Sequence, residues 1–161
     1  MIEIEEMRAG EAREVLEQLN YAHLAMAKDN IPYVVPVHYA FDGQDLFIYT
    51  TEGKKADIIK VNPEICLQAE EVEDKENWKS VMVSGTAEQI TDEDGRQKAL
   101  ALILRINPKL TPAISIRWMD SWVRENIEVI YRISPRSVTG RRTIKRGVPE
   151  TPSLLTTPKV A

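Results

Sequence analysis

Tyr33-Val34-Val35-Pro36-Val37-His38-Tyr39-Ala40-Phe41-Asp42-Gly43-Gln44-Asp45-Leu46-Phe47-Ile48-Tyr49-Thr50-Thr51 reads as two antiparallel strands joined by a tight turn. β-branched and aromatic residues crowd both runs, and Asp42-Gly43 supplies residues that tolerate the positive φ a hairpin turn demands. Upstream, Tyr21–Lys28 forms another strand, set off by Asp29-Asn30. Before it, Ala12, Val15, Leu16 and Leu19 recur at the i, i+3, i+4, i+7 spacing of an amphipathic helix over Arg8–Leu19. Three consecutive antiparallel strands therefore follow a short helix.

Downstream, Thr51-Glu52-Gly53-Lys54-Lys55 leads into a short helix, Ala56–Val61, that Asn62-Pro63 stops. Glu64–Val72 and Trp78–Ile90 are the fourth and fifth strands, with Gly85 marking a bulge or a close backbone approach. Thr91-Asp92-Glu93-Asp94 opens a helix whose apolar stripe is Ala99, Leu102, Ile103 and Ile106. Residues 109–125, which include Trp118 and Trp122, read as a loop with a short helix. Ile127, Val129, Tyr131 and Ile133 alternate as a sixth strand, with Val138 extending it past Pro135. The expected fold is mainly β: a six-stranded antiparallel barrel, with helices over its ends, spanning residues 1–135. A basic, proline-containing tail, residues 136–161, follows it. An open α+β sheet is the alternative.

The 161 residues make one domain, with 43% hydrophobic and 29% charged residues, the balance of a soluble protein. The acidic start, Met1-Ile2-Glu3-Ile4-Glu5-Glu6, is unlike a signal peptide, and no apolar run approaches the roughly 18 residues of a membrane span. A cytoplasmic location is expected. One cysteine, Cys66, and two histidines, His23 and His38, leave no material for a disulfide framework or a multi-histidine metal site. The net charge of −4 is uneven. From Arg136 onward six bases face one acid, a charge of +5, so residues 1–135 carry 15 bases against 24 acids, or −9. An acidic body argues against nucleic acid as the main partner.

Chemistry concentrates at Thr50-Thr51-Glu52-Gly53-Lys54-Lys55. A strand-to-helix junction points free N–H groups and the positive helix end at one place, and two hydroxyls and two ammonium groups converge there. This suits a phosphate monoester, although the Gly-x-x-x-x-Gly-Lys spacing of a Walker motif is missing. A plain turn with solvated lysines is the competing reading. Pro36 gives up a ladder donor, which fits an edge or a ligand-lined position. Trp78-Lys79-Ser80-Val81 sets a large aromatic beside polar groups at a strand start.

In their order, Pro32–Tyr39, Leu46–Lys55, Asn62-Pro63 and Trp78–Gly85 resemble the pyridoxamine 5'-phosphate oxidase-like, FMN-binding split-barrel superfamily, in its nitroimidazole-resistance-protein-like branch. The resemblance spans residues 8–135. It implies that Tyr49, Thr50, Thr51, Gly53, Lys54 and Lys55 surround the FMN phosphate. It further implies that Pro36, Val37 and His38 edge the flavin ring, and that Lys79, Ser80 and Val81 face the ribityl chain or phosphate. Members are homodimers with two sites at the interface, so Trp118 and Trp122 of a second subunit would close the pocket. No histidine follows His38, so the Arg-x-His substrate motif of true pyridoxamine phosphate oxidases is missing and vitamin B6 oxidation is not expected. His38 is the candidate catalytic group, hydrogen-bonding flavin or substrate, or else it packs as a half-exposed strand residue.

The function expected is an FMN-dependent oxidoreductase passing electrons or hydride to a small planar acceptor. The alternative within the same fold is a non-catalytic flavin- or haem-binding sensor or carrier; some relatives take haem or a deazaflavin instead. A third reading is an interaction module acting through the basic tail.

Overall fold

The computed structural model describes residues 1–109 and 128–145. In chain order the elements are β1 (Ile2–Glu6), α1 (Ala9–Gln18), β2 (Tyr21–Lys28), β3 (Ile31–Phe41), β4 (Leu46–Thr51), α2 (Lys54–Val61), β5 (Glu64–Asp74), β6 (Asn77–Gln89), α3 (Glu93–Ile106) and β7 (Glu128–Lys145). Every strand pairing is antiparallel. The strand order β1-β7-β4-β3-β2-β5-β6, with β6 pairing back onto β7, closes six strands into a ring. Those six are the strands expected from sequence, and β1 is a seventh, added beside the far end of β7.

Alternation builds two cores. Leu24, Met26, Val37, Tyr39, Leu46, Ile48, Leu67, Val81, Val83 and Ile133 point into the ring. Ala40, Phe47, Tyr49 and Ile130 point outward and are covered by Ala99, Leu102 and Ile103 of α3. A buried Leu or Ile side chain is worth about 1.5–3 kcal/mol, so the inner layer dominates the folding free energy. α1 closes one end with Ala12, Val15 and Leu16, where the Tyr39 hydroxyl donates to the Leu16 carbonyl at 2.6 Å. α2 closes the other end with Ala56 and Ile59, and Asn62 Nδ2 donates to the Ala27 carbonyl at 2.9 Å.

Two sequence expectations change. The strand expected to run past Pro135 as far as Val138 continues to Lys145, so the boundary placed after residue 135 falls inside β7. Proline would ordinarily interrupt a ladder. Here the register with β6 shifts between Ser84 and Gly85, whose partners are Ser137 and Pro135, and the extra residue, Arg136, lies in a bulge. Beyond that bulge β7 lies against β6 and then β1, where Ile2, Ile4 and Glu6 face Lys145, Thr143 and Arg141. The cations of this segment are ion-paired to the acidic body: Arg136 to Glu64, Arg141 to Glu6, Arg142 to Glu5 and Glu11, and Lys145 to Glu76. They serve as barrel wall. The expected loop and helix of 109–125, with Trp118 and Trp122, fall outside the described residues apart from Lys109.

Candidate functional site

The ring has one opening in its ladder. β3 pairs with β4 only through Tyr39, Ala40 and Phe41, opposite Ile48, Phe47 and Leu46. From Ile31 to His38, β3 is paired to β2 alone, while Tyr49, Thr50 and Thr51 are paired to β7 alone. Between these diverging strands, backbone groups of β3 and β4 have no ladder partner among the described residues. Pro36 sits on the diverging part of β3, in keeping with its missing N–H.

The Thr50–Lys55 junction lies at the head of this split. Thr51 is the one polar residue in the buried set, at 8% exposure. The start of α2 carries no side-chain cap at Gly53, whereas Asp92 Oδ2 accepts from Gly95 N at 2.7 Å at the start of α3. A Cβ added at Gly53 would meet nothing within 4 Å, so the turn faces open space. The Lys54 ammonium lies 4.5 Å from the centroid of the Tyr33 ring, bridging the split by a cation–π contact. Lys55 is half-buried, and burial pushes its pKa down. Neither lysine has a carboxylate partner among the described residues. Cations at the positive end of a helix are unfavourable without an anion, and Asp57 in the first turn offsets only part of this. A phosphate monoester supplies the missing charge, so the donor set fits the terminal group of FMN.

A second cluster lies on the outer face of the same sheet. Tyr21 stands edge-on to His23 and His38, with ring centroids 5.7 and 5.4 Å apart. Both histidines of the chain thus meet one phenol. Ladder pairs carry the row onward from Pro36 to His23, Gln68 and Met82, and Gln68 Nε2 bonds Ser80 Oγ at 2.9 Å.

The expected site residues divide accordingly. Thr50, Thr51, Gly53, Lys54 and Lys55 come together at the junction, while Pro36, His38 and Ser80 share the outer face. Val37 and Val81 point into the core. Lys79 pairs with Glu71 at 2.5 Å near the α1 end, away from the junction. Tyr49 packs under α3, with burial and the Glu128 carboxylate pushing its phenol up to about 12. Tyr33, Tyr21 and Gln68 are not singled out by sequence, because their roles depend on strand register. Trp118 and Trp122 lie outside the described residues. Among the described residues, no helix is long and apolar enough to cross a membrane.

Known proteins share this architecture. A candidate 5-nitroimidazole antibiotic resistance protein of Bacteroides thetaiotaomicron VPI-5482 superposes with a TM-score of 0.67 at 18% identity, over 89% of each chain, a likeness of fold. A FAD-binding protein of Mesorhizobium loti superposes with a TM-score of 0.72 at 28% identity, over 90% of this chain and all of that one. An uncharacterised protein of Rhizobium meliloti (strain 1021) is 34% identical over 89 residues, which is 55% of this chain and 59% of that relative's length. The sequence profile of the family described as pyridoxamine 5'-phosphate oxidase matches residues 8–142. The ring, the split and this match together place the chain in the pyridoxamine 5'-phosphate oxidase family.

Proposed function

We propose that this chain is an FMN-binding oxidoreductase that works as a homodimer on a small planar electron acceptor. One observation carries the reading: Lys54, Lys55 and the uncapped start of α2 converge beside the split with no carboxylate paired to either lysine among the described residues. Lys54, Lys55 and the first amides of α2 hold the phosphate, with the Thr50 and Thr51 hydroxyls beside them. The unladdered backbone from Pro36 to His38 orients the ring. Flavin supplies the redox chemistry when bound. The FAD-binding neighbour at 28% identity supports a flavin and makes FAD the alternative nucleotide. His38, exposed beside Tyr21, is the candidate for holding a proton near the acceptor.

The outer face of β2, β3, β5 and β6 supports the dimer. Tyr21, Val34 and Met82 are 47%, 58% and 47% exposed there, an apolar patch next to the histidines. A second subunit covering it would bring its own residues to the split.

The absorbance spectrum of the purified protein tests the reading, with chromatography of the released nucleotide separating FMN from FAD. Lys54→Ala should weaken FMN binding by about tenfold or more, because a charge-assisted contact is worth about 1.5–3 kcal/mol. A Soret band, or a colourless protein that takes up no added flavin, would sink the proposal. A bound flavin that neither NADH nor NADPH reduces, and that turns over no acceptor, would indicate a sensor or carrier.

A further inference from the structure

Besides Tyr21, four tyrosines on this barrel have informative surroundings, and one of them is left incomplete. Tyr39 donates to the Leu16 carbonyl, Tyr49 lies beside Glu128, and Tyr33 stacks under Lys54. Tyr131, only 3% exposed, has a hydroxyl with no hydrogen-bond partner among the described residues. Among the described residues it is the one buried side-chain polar atom in that position. Buried hydroxyls are nearly always paired, so an orphan points to a partner from outside the chain, an enclosed water or a ligand group.

Its place in the fold indicates which partner. Tyr131 stands opposite Ile48 on β4, two residues before Thr50, and points into the ring. Burial, and then the negative charges of Glu52 and Asp57, push its phenol up to about 12. Those two carboxylates bracket Gly53-Lys54-Lys55, so the hydroxyl lies within the field of the first turn of α2. It remains a neutral donor at any physiological pH, and neither carboxylate accepts its proton.

We infer that the Tyr131 hydroxyl is a further binding residue, donating a hydrogen bond from the barrel interior to the phosphate held at the start of α2. This rests on the phosphate site proposed above and adds a donor from β7. The lysines supply charge from the solvent side, whereas a buried neutral donor supplies direction without a further cation in the core.

Tyr131→Phe in the full chain tests this, because it removes one oxygen that holds no partner and keeps the ring that packs. FMN affinity should fall about tenfold, the loss expected for a hydrogen bond to a charged group. Riboflavin, which lacks the phosphate, should bind both proteins equally. Ligand-free thermal stability should be unchanged or higher, which excludes a folding defect. Stabilisation of the wild-type protein by inorganic phosphate should shrink in the variant. Equal FMN affinity in the two proteins would overturn the inference and leave the site standing. An equal loss for riboflavin would place Tyr131 at the ring and overturn it as well. A wild-type protein that binds neither FMN nor inorganic phosphate would overturn the site and the inference together.

Discussion

At Gly85 the backbones of β6 and β7 run so close that a Cβ would overlap the Ser134 carbonyl oxygen. Gly85→Ala should therefore lower the unfolding free energy by about 3 kcal/mol, the upper part of the over-packing range, as read from the urea midpoint. An unchanged midpoint would mean that the bulge at Arg136 absorbs the methyl group. The buried phenols set a pH limit of another kind. Burial raises Tyr49 and Tyr131 to about 12, so each stays protonated in the fold while the unfolded chain ionises near about 10. Above that pH the unfolded state gains by losing protons that the fold retains. The contribution of these phenols to stability should thus be level below about pH 10 and fall between about pH 10 and 12, as denaturation at stepped alkaline pH would show. Lys55 is shifted downward by burial, so its ammonium is lost earlier than that of an ordinary lysine, and phosphate affinity should decline on the alkaline side.

Among the elements, β7 does the most joining. Its first half pairs with β4, its middle with β6, and its last residues with β1. A chain ending at Pro135 would leave Lys79–Ser84 of β6 without a partner on that edge and β1 with none at all. Such a truncation should give insoluble or molten protein, seen as lost near-ultraviolet dichroism. A folded, flavin-binding product would show that six strands close without the extension. The sequence carries the signal for β1 in its Ile-Glu-Ile-Glu alternation, but a short charged strand acquires meaning only beside a partner. The helices were more legible. Ala12, Val15 and Leu16 of α1 and Ala99 and Ile103 of α3 are buried as the helical spacing requires, and Asp92 caps α3.

For the whole molecule, folding offsets much of the charge imbalance between body and C-terminal segment as far as Lys145, because Arg136, Arg141, Arg142 and Lys145 each meet glutamates from distant elements. Residues 136–145 are therefore part of the barrel and not a free basic arm. The exposed face of Tyr21, Val34 and Met82 is the interface of the proposed dimer. Sedimentation should give twice the 18.3 kDa chain mass, and Val34→Glu should shift the protein toward monomer and weaken flavin binding together. A native monomer that binds flavin fully would remove the second subunit from the site. The sequence by itself determined the six ring strands, their turns and the Thr50–Lys55 junction, because alternation, Asp42-Gly43 and a strand-to-helix switch are local signals. Only the tertiary structure decided the split between β3 and β4, the meeting of Tyr21 with both histidines, the run of β7 past Pro135 and the orphaned hydroxyl of Tyr131. Each depends on register between residues far apart in the chain, which no local pattern encodes.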